Sequence, residues 1–67
     1  GLDAAKRLIT NPNYAGLTVN AALQRWSGGG YGGEVAPQFQ NRTIASLTNS
    51  ELNQLLGAMA QREGAYA

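Results

Sequence analysis

Few side chains in this sequence can do acid–base chemistry. There is no histidine and no cysteine, which removes the usual neutral-pH proton carrier, the commonest zinc ligand and every thiolate. Four carboxylates are left: Asp3, Glu34, Glu51 and Glu63. Glu51 already has a local role, because Thr48-Asn49-Ser50-Glu51 spells a capping box. Glu34 and Glu63 are then the one plausible catalytic pair. Two carboxylates suit glycoside hydrolysis, which needs them about 5–10 Å apart across a cleft. A chain of 67 residues has little room for such a cleft, so Glu63 and Glu34 stand only as weak catalytic candidates. Glu63 is expected instead to pair with Arg25 or Arg7, or to face solvent. The sequence points to no metal and no cofactor.

The second chemical signal is the glycine run. Gly28-x-Gly30-x-x-Gly33 is a formal match to the dinucleotide fingerprint. That fingerprint requires a strand before it and a helix after it, whereas this run follows a predicted helix and no βαβ unit fits. A P-loop fails as well, because Glu34 stands where its lysine belongs. The glycine spacing is therefore read as a coincidence of composition. Gly28 caps the helix, and the other glycines let the backbone turn around Tyr31. Tyr31 is expected to pack on Trp26, with a sugar- or peptide-contacting Tyr on the loop as the sharper alternative. Tyr14 is expected to close one end of the core with its hydroxyl exposed. Trp26, Tyr31, Arg25 and Tyr14 are the candidate binding residues, with Tyr31 the first place to look for function.

Composition narrows the classes further. Five basic against four acidic residues give a net charge of +1. Lys6-Arg7 is the one adjacent basic pair, so the clustered footprint of a nucleic-acid binder is missing. No apolar run approaches the roughly 20 residues of a membrane span, and no basic n-region precedes an apolar h-region. The opening Gly1-Leu2, without an initiator Met, suggests a piece of a longer protein. Asn41-Arg42-Thr43 is a formal glycosylation sequon of a kind that arises often by chance.

Three helices are expected to position these residues. The first covers Gly1 to Thr10, with Asp3 in its first turn and Leu2, Ala5, Leu8 and Ile9 on one face. Pro12 forbids helix at Asn11, and Asn11 to Gly16 reads as turn chemistry. The second helix starts at the N-cap Thr18 and carries the stripe Val19, Ala22, Leu23 and Trp26 before stopping at Ser27-Gly28. The third starts at the Thr48 capping box, buries Leu52, Leu55, Leu56 and Met59, and stops at Gly64, leaving Ala65-Tyr66-Ala67 to fray. Gly57 inside it costs about 1 kcal/mol against Ala, and a close approach of the Trp26 helix is its expected compensation. Between the last two helices lies a long Gly-rich connection, with a helical turn expected near Pro37 to Asn41 and Val35, Phe39 and Ile44 as anchors. The expected core is Leu8, Ile9, Leu17, Leu23, Trp26, Phe39, Leu52, Leu55, Leu56 and Met59. The fold class is all-α: one small three-helix domain over 1–67.

Four phrases carry a resemblance: GLDAAKRLI, NPNYAGLTV, ALQRWSGGGYG and LTNSELNQLLGAMAQREG. They resemble a small helical module of tailed-bacteriophage virion proteins and of cell-wall-associated, peptidoglycan hydrolase-linked bacterial proteins. Its pattern corresponds here to Gly1 with Ala4-Ala5, Tyr14-Gly16-Thr18, Arg25-Trp26 and Glu63-Gly64. Members often read Trp-Ala-Pro followed by an Asn-rich loop, where this chain has Trp26-Ser27-Gly28 and its glycines. The resemblance implies a virion or extracytoplasmic, envelope-facing location. It also implies work beside a peptidoglycan-cleaving domain rather than catalysis by this piece itself.

The function expected is a non-enzymatic structural or binding module contacting a protein partner, a second copy of itself, or peptidoglycan. The alternative is a fragment of a peptidoglycan hydrolase of lysozyme or transglycosylase type, with a Glu acid. A helical peptide binder would instead show a groove beside Leu55 and Met59.

Overall fold

A computed structural model describes residues 2–64, except for the side chain of Leu2. The roles read for Gly1, for the Leu2 side chain and for Ala65-Tyr66-Ala67 lie outside the described residues. The described chain is all-α and without strands, with four α-helices: α1 (Leu2–Ile9), α2 (Pro12–Ala15), α3 (Val19–Trp26) and α4 (Asn49–Arg62). None of these is long and apolar enough to cross a membrane.

The helix beyond the expected three is α2, a single turn formed where a plain turn was expected. Its cause is local. The Asn11 side chain accepts from the Asn13 amide at 2.8 Å, and Pro12 sits in the first turn, where its missing N–H is no loss. Asn11 itself is extended, as a residue before proline should be.

The start of α3 is closed by three different partners. The Val19 amide donates to the Arg42 carbonyl at 2.7 Å and the Asn20 amide to the Gln40 carbonyl at 3.1 Å. The Ala21 amide donates to Thr18 Oγ1 at 3.2 Å. These amides have no acceptor inside their own helix, so the N-terminus of α3 holds the distant segment 40–42 in place. The Ile44 amide extends the clamp by donating to the Leu17 carbonyl at 3.0 Å. The connection from Gly28 to Leu47 is consequently not a structureless loop. It contains three 3₁₀ turns, Gly33–Val35, Pro37–Phe39 and Ile44–Ser46, and it buries Phe39 and Ile44. The turn expected near Pro37 is among them.

The capping box of α4 forms as read, with Thr48 and Glu51 bonding reciprocally. Arg42 adds to it: its Nη1 lies 2.5 Å from Glu51 Oε2 and its Nη2 donates to the Ser46 carbonyl at 2.6 Å. The Thr48 amide, and then Arg42, hold the Glu51 carboxyl below the usual carboxylate range.

α1 packs against α4, and α3 packs against the Gly33–Val35 turn. Ile9, Val19, Leu23, Ile44 and Leu55 are the largest fully buried side chains. Three expected core residues are placed differently. Leu8 is 55% exposed, because Ala5 and Ile9, four residues apart on α1, already take the inward face. Trp26 and Leu17 are only partly buried, packed against the core from outside.

Gly57 also differs from expectation. A Cβ at this position would meet no heavy atom within 4 Å, so no backbone approaches it and nothing offsets its helix cost. Gly57→Ala is expected to stabilise the fold by about 0.5–1 kcal/mol, read as an upward shift of the urea midpoint. An unchanged or lower midpoint would contradict the open space around it.

Candidate functional site

The site is built where the end of α3 meets the end of α4. Trp26 is the last residue of α3, and Gly28 and Gly29 follow with φ of 63° and 90°. These left-handed angles suit glycine. They reverse the chain, so that the Gly29 amide donates back to the Gln24 carbonyl at 2.8 Å. Ser27 then fixes what comes next. Its Oγ accepts from the Tyr31 amide and donates to the Tyr31 carbonyl, each at 2.9 Å. Held on both sides of its backbone, Tyr31 turns inward and is only 8% exposed.

The Tyr31 ring is buried in the core cluster, against which Trp26 packs. Its hydroxyl reaches the far end of α4 and donates to Glu63 Oε2. Trp26 Nε1 donates to the same oxygen at 3.2 Å. The expectation that Glu63 pairs with Arg25 or Arg7 is therefore replaced: it faces solvent, the other reading, and is the acceptor for two aromatic donors. Gly64, with φ of 83°, ends α4 immediately after it. Among the described residues Glu63 Oε1 accepts no hydrogen bond, and the residue is exposed. Arg62 lays its guanidinium 5.9 Å from the centre of the Tyr31 ring, within cation–π range.

Trp26, Ser27, Gly30, Tyr31, Arg62 and Glu63 line an open groove of about 470 Å³. A second groove of about 440 Å³ is lined by Glu34, Val35, Ala58, Gln61 and Arg62. Glu34 and Glu63, the pair weighed for catalysis, thus line different grooves, each without the other. Glu34 Oε1 accepts from the Gly32 amide at 2.8 Å. Of the four expected binding residues, Trp26 and Tyr31 come together here. Tyr14 and Arg25 line neither groove. Tyr14 sets its ring against Trp26 edge to face, with centroids 5.8 Å apart, and Arg25 Nη1 donates to the Asn13 carbonyl at 3.2 Å. Tyr14 thus braces Trp26 from α2, and Arg25 ties α3 to α2. Leu55 and Met59 are buried and line neither groove.

Sequence reasoning missed Ser27, Asn20 and Arg62. Asn20 Oδ1 accepts from the Gly33 amide at 2.7 Å and so ties the glycine run to α3. The Ser27-to-Tyr31 spacing and the Glu63-Gly64 helix end were the available signals. The link from Tyr31 to Glu63 spans 32 residues and has no local signature.

Burial raises the Tyr31 phenol well above its ordinary value of about 10, and the neighbouring Glu63 acts in the same direction, while Arg62 opposes it. The folded state therefore holds the Tyr31 proton more tightly than the unfolded chain does. That contribution to stability is complete below about pH 10 and is lost as pH rises toward the folded value, by up to about 1.4 kcal/mol per pH unit. Unfolding free energies measured above about pH 10 should fall more steeply for the native sequence than for Tyr31→Phe. Parallel slopes would mean the phenol is not held this way. In comparisons with known proteins, the chain matches no protein-family model, no curated protein sequence and no solved structure.

Proposed function

We propose that this chain is a non-enzymatic binding module of a phage virion or cell-envelope protein. Its Trp26–Glu63 groove engages the glycan of the cell wall. The observation that carries the reading is Glu63: one carboxylate oxygen is fixed by Tyr31 and Trp26, and the other is open to an exposed groove. A carboxylate set in this way is a pre-positioned acceptor for hydroxyl or amide N–H groups, and a site held rigid before binding loses less free energy to ordering. Trp26 gives the groove an apolar wall with a polar edge, and Arg62 gives it donors. Shallow, open and mixed in polarity, the groove suits a hydroxyl-rich partner better than an apolar one.

The second reading is a hydrolase fragment in which Glu63 is the acid. Its support is that Glu63 is the carboxylate lining this groove. Against it stands the position of Glu34, which lines the other groove and gives Glu63 no partner there. Co-sedimentation with purified peptidoglycan sacculi separates the readings. The native protein is expected to pellet with sacculi without clearing them, and Glu63→Gln and Arg62→Ala are expected to pellet several-fold less. If the native protein clears the suspension and Glu63→Gln does not, the non-enzymatic reading fails.

A further inference from the structure

The two grooves share a wall. Arg62 lines both, and its guanidinium makes no ion pair among the described residues. On one side stands Glu63, whose Oε1 accepts no hydrogen bond among the described residues. On the other stands Glu34, whose Oε1 is taken by the Gly32 amide and whose Oε2 is likewise without a partner. The order across the surface is acceptor, donor group, acceptor. Ala58, Gln61 and Arg62 fall three and four residues apart on α4, which places them on neighbouring positions of one helix face. The second groove therefore adjoins the first at Arg62, with Gln61 and Glu63 on either side of it around the helix.

We propose that the two grooves are successive subsites of one track for a linear, uncharged, N-acetylated glycan chain, divided at Arg62. This deepens the binding-module reading and rests on it. Charge selects the occupant. Two carboxylates flank a single guanidinium, so a polyanion is repelled at both ends of the track and a polycation at its centre. An uncharged chain carrying amides and hydroxyls meets neither penalty. Its N–H and O–H groups can donate to Glu63 and Glu34, and its carbonyl or ring oxygens can accept from Arg62. A single sugar occupies one groove and gains nothing from the other. A longer chain reaches both and binds the second as an intramolecular event.

The test uses N-acetylglucosamine oligomers of one, two, four and six units, titrated into the isotope-labelled full chain and followed by NMR. The expected result is perturbation of the Trp26 indole and Glu63 amide signals by every oligomer, with affinity rising at least about tenfold from the shortest to the longest. Gln61→Ala alters an exposed position of the second groove alone. It is expected to remove the gain with length and leave single-unit binding unchanged. Equal affinity for one and six units, or an unchanged affinity of Gln61→Ala for six units, overturns the track while sparing the first groove. If no oligomer perturbs Trp26 or Glu63, the glycan-binding reading falls with it.

Discussion

Gly33→Ala is expected to destabilise the fold by about 3 kcal/mol, the upper end of what overpacking costs. A Cβ at this position would lie 2.5 Å from the Gln40 Cβ and 3.1 Å from the Asn20 Cβ. Both are first atoms of their side chains, so neither can swing away without moving its backbone. Those backbones are joined, because the Asn20 amide donates to the Gln40 carbonyl at 3.1 Å. The Asn20 side chain is committed as well, through its bond from the Gly33 amide. Relief therefore requires opening the clamp between α3 and the long connection. A domain of this length has a total stability of roughly 3–10 kcal/mol, so the variant should lose much of it. Urea unfolding followed by circular dichroism checks this, with Gly16→Ala as the control: a Cβ there meets nothing within 4 Å and the backbone is right-handed. Equal midpoints for the two variants would contradict the close approach at Gly33.

Leu55→Ala is the second large effect. Leu55 is fully buried on the core face of α4, and removing such a side chain costs about 2–5 kcal/mol, from lost burial and from the cavity left behind. Against so small a total, the variant should melt at a much lower temperature or lack a cooperative transition. Leu8→Ala is the informative comparison. It deletes the same atoms from an exposed residue and should change stability by no more than about 0.5 kcal/mol. Similar melting temperatures for the two would reverse the assignment of which leucine is core.

The Leu55 prediction marks where the sequence was legible. The caps at Thr18 and Thr48, the stops at Gly28 and Gly64, and the stripes Val19-Ala22-Leu23 and Leu52-Leu55-Leu56-Met59 are local patterns, and the helices follow them. α2 was also written locally, in Asn11-Pro12, but a single turn is hard to tell from a bend. Leu8 was less legible because a short helix with several apolar residues leaves its inward face open, and packing against α4 decides it.

The glycine run shows the limit most clearly. Its glycines serve the fold: Gly28 and Gly29 take left-handed angles, and Gly33 sits against Gln40 and Asn20. The close contacts that require Gly33 come from Gln40 and from Asn20, the latter 13 residues away, and no periodicity encodes them. The candidate site was half legible for the same reason. Trp26 and Tyr31 drew attention as residue types, and Glu63 as one of few carboxylates. Their convergence on a single oxygen depends on how α3 and α4 end relative to each other, which is a property of the packed molecule.

Trp26 is the sole tryptophan in the chain and lines the groove beside Glu63, so its fluorescence reports on the proposed site without a label. Titration of the native protein with a soluble, uncharged glycan fragment, the six-unit N-acetylglucosamine oligomer, should produce a saturable change in Trp26 emission, weakened several-fold in Glu63→Gln. An emission spectrum unmoved at saturating fragment, or an identical response from Glu63→Gln, would contradict the assignment of this groove as the glycan-binding site.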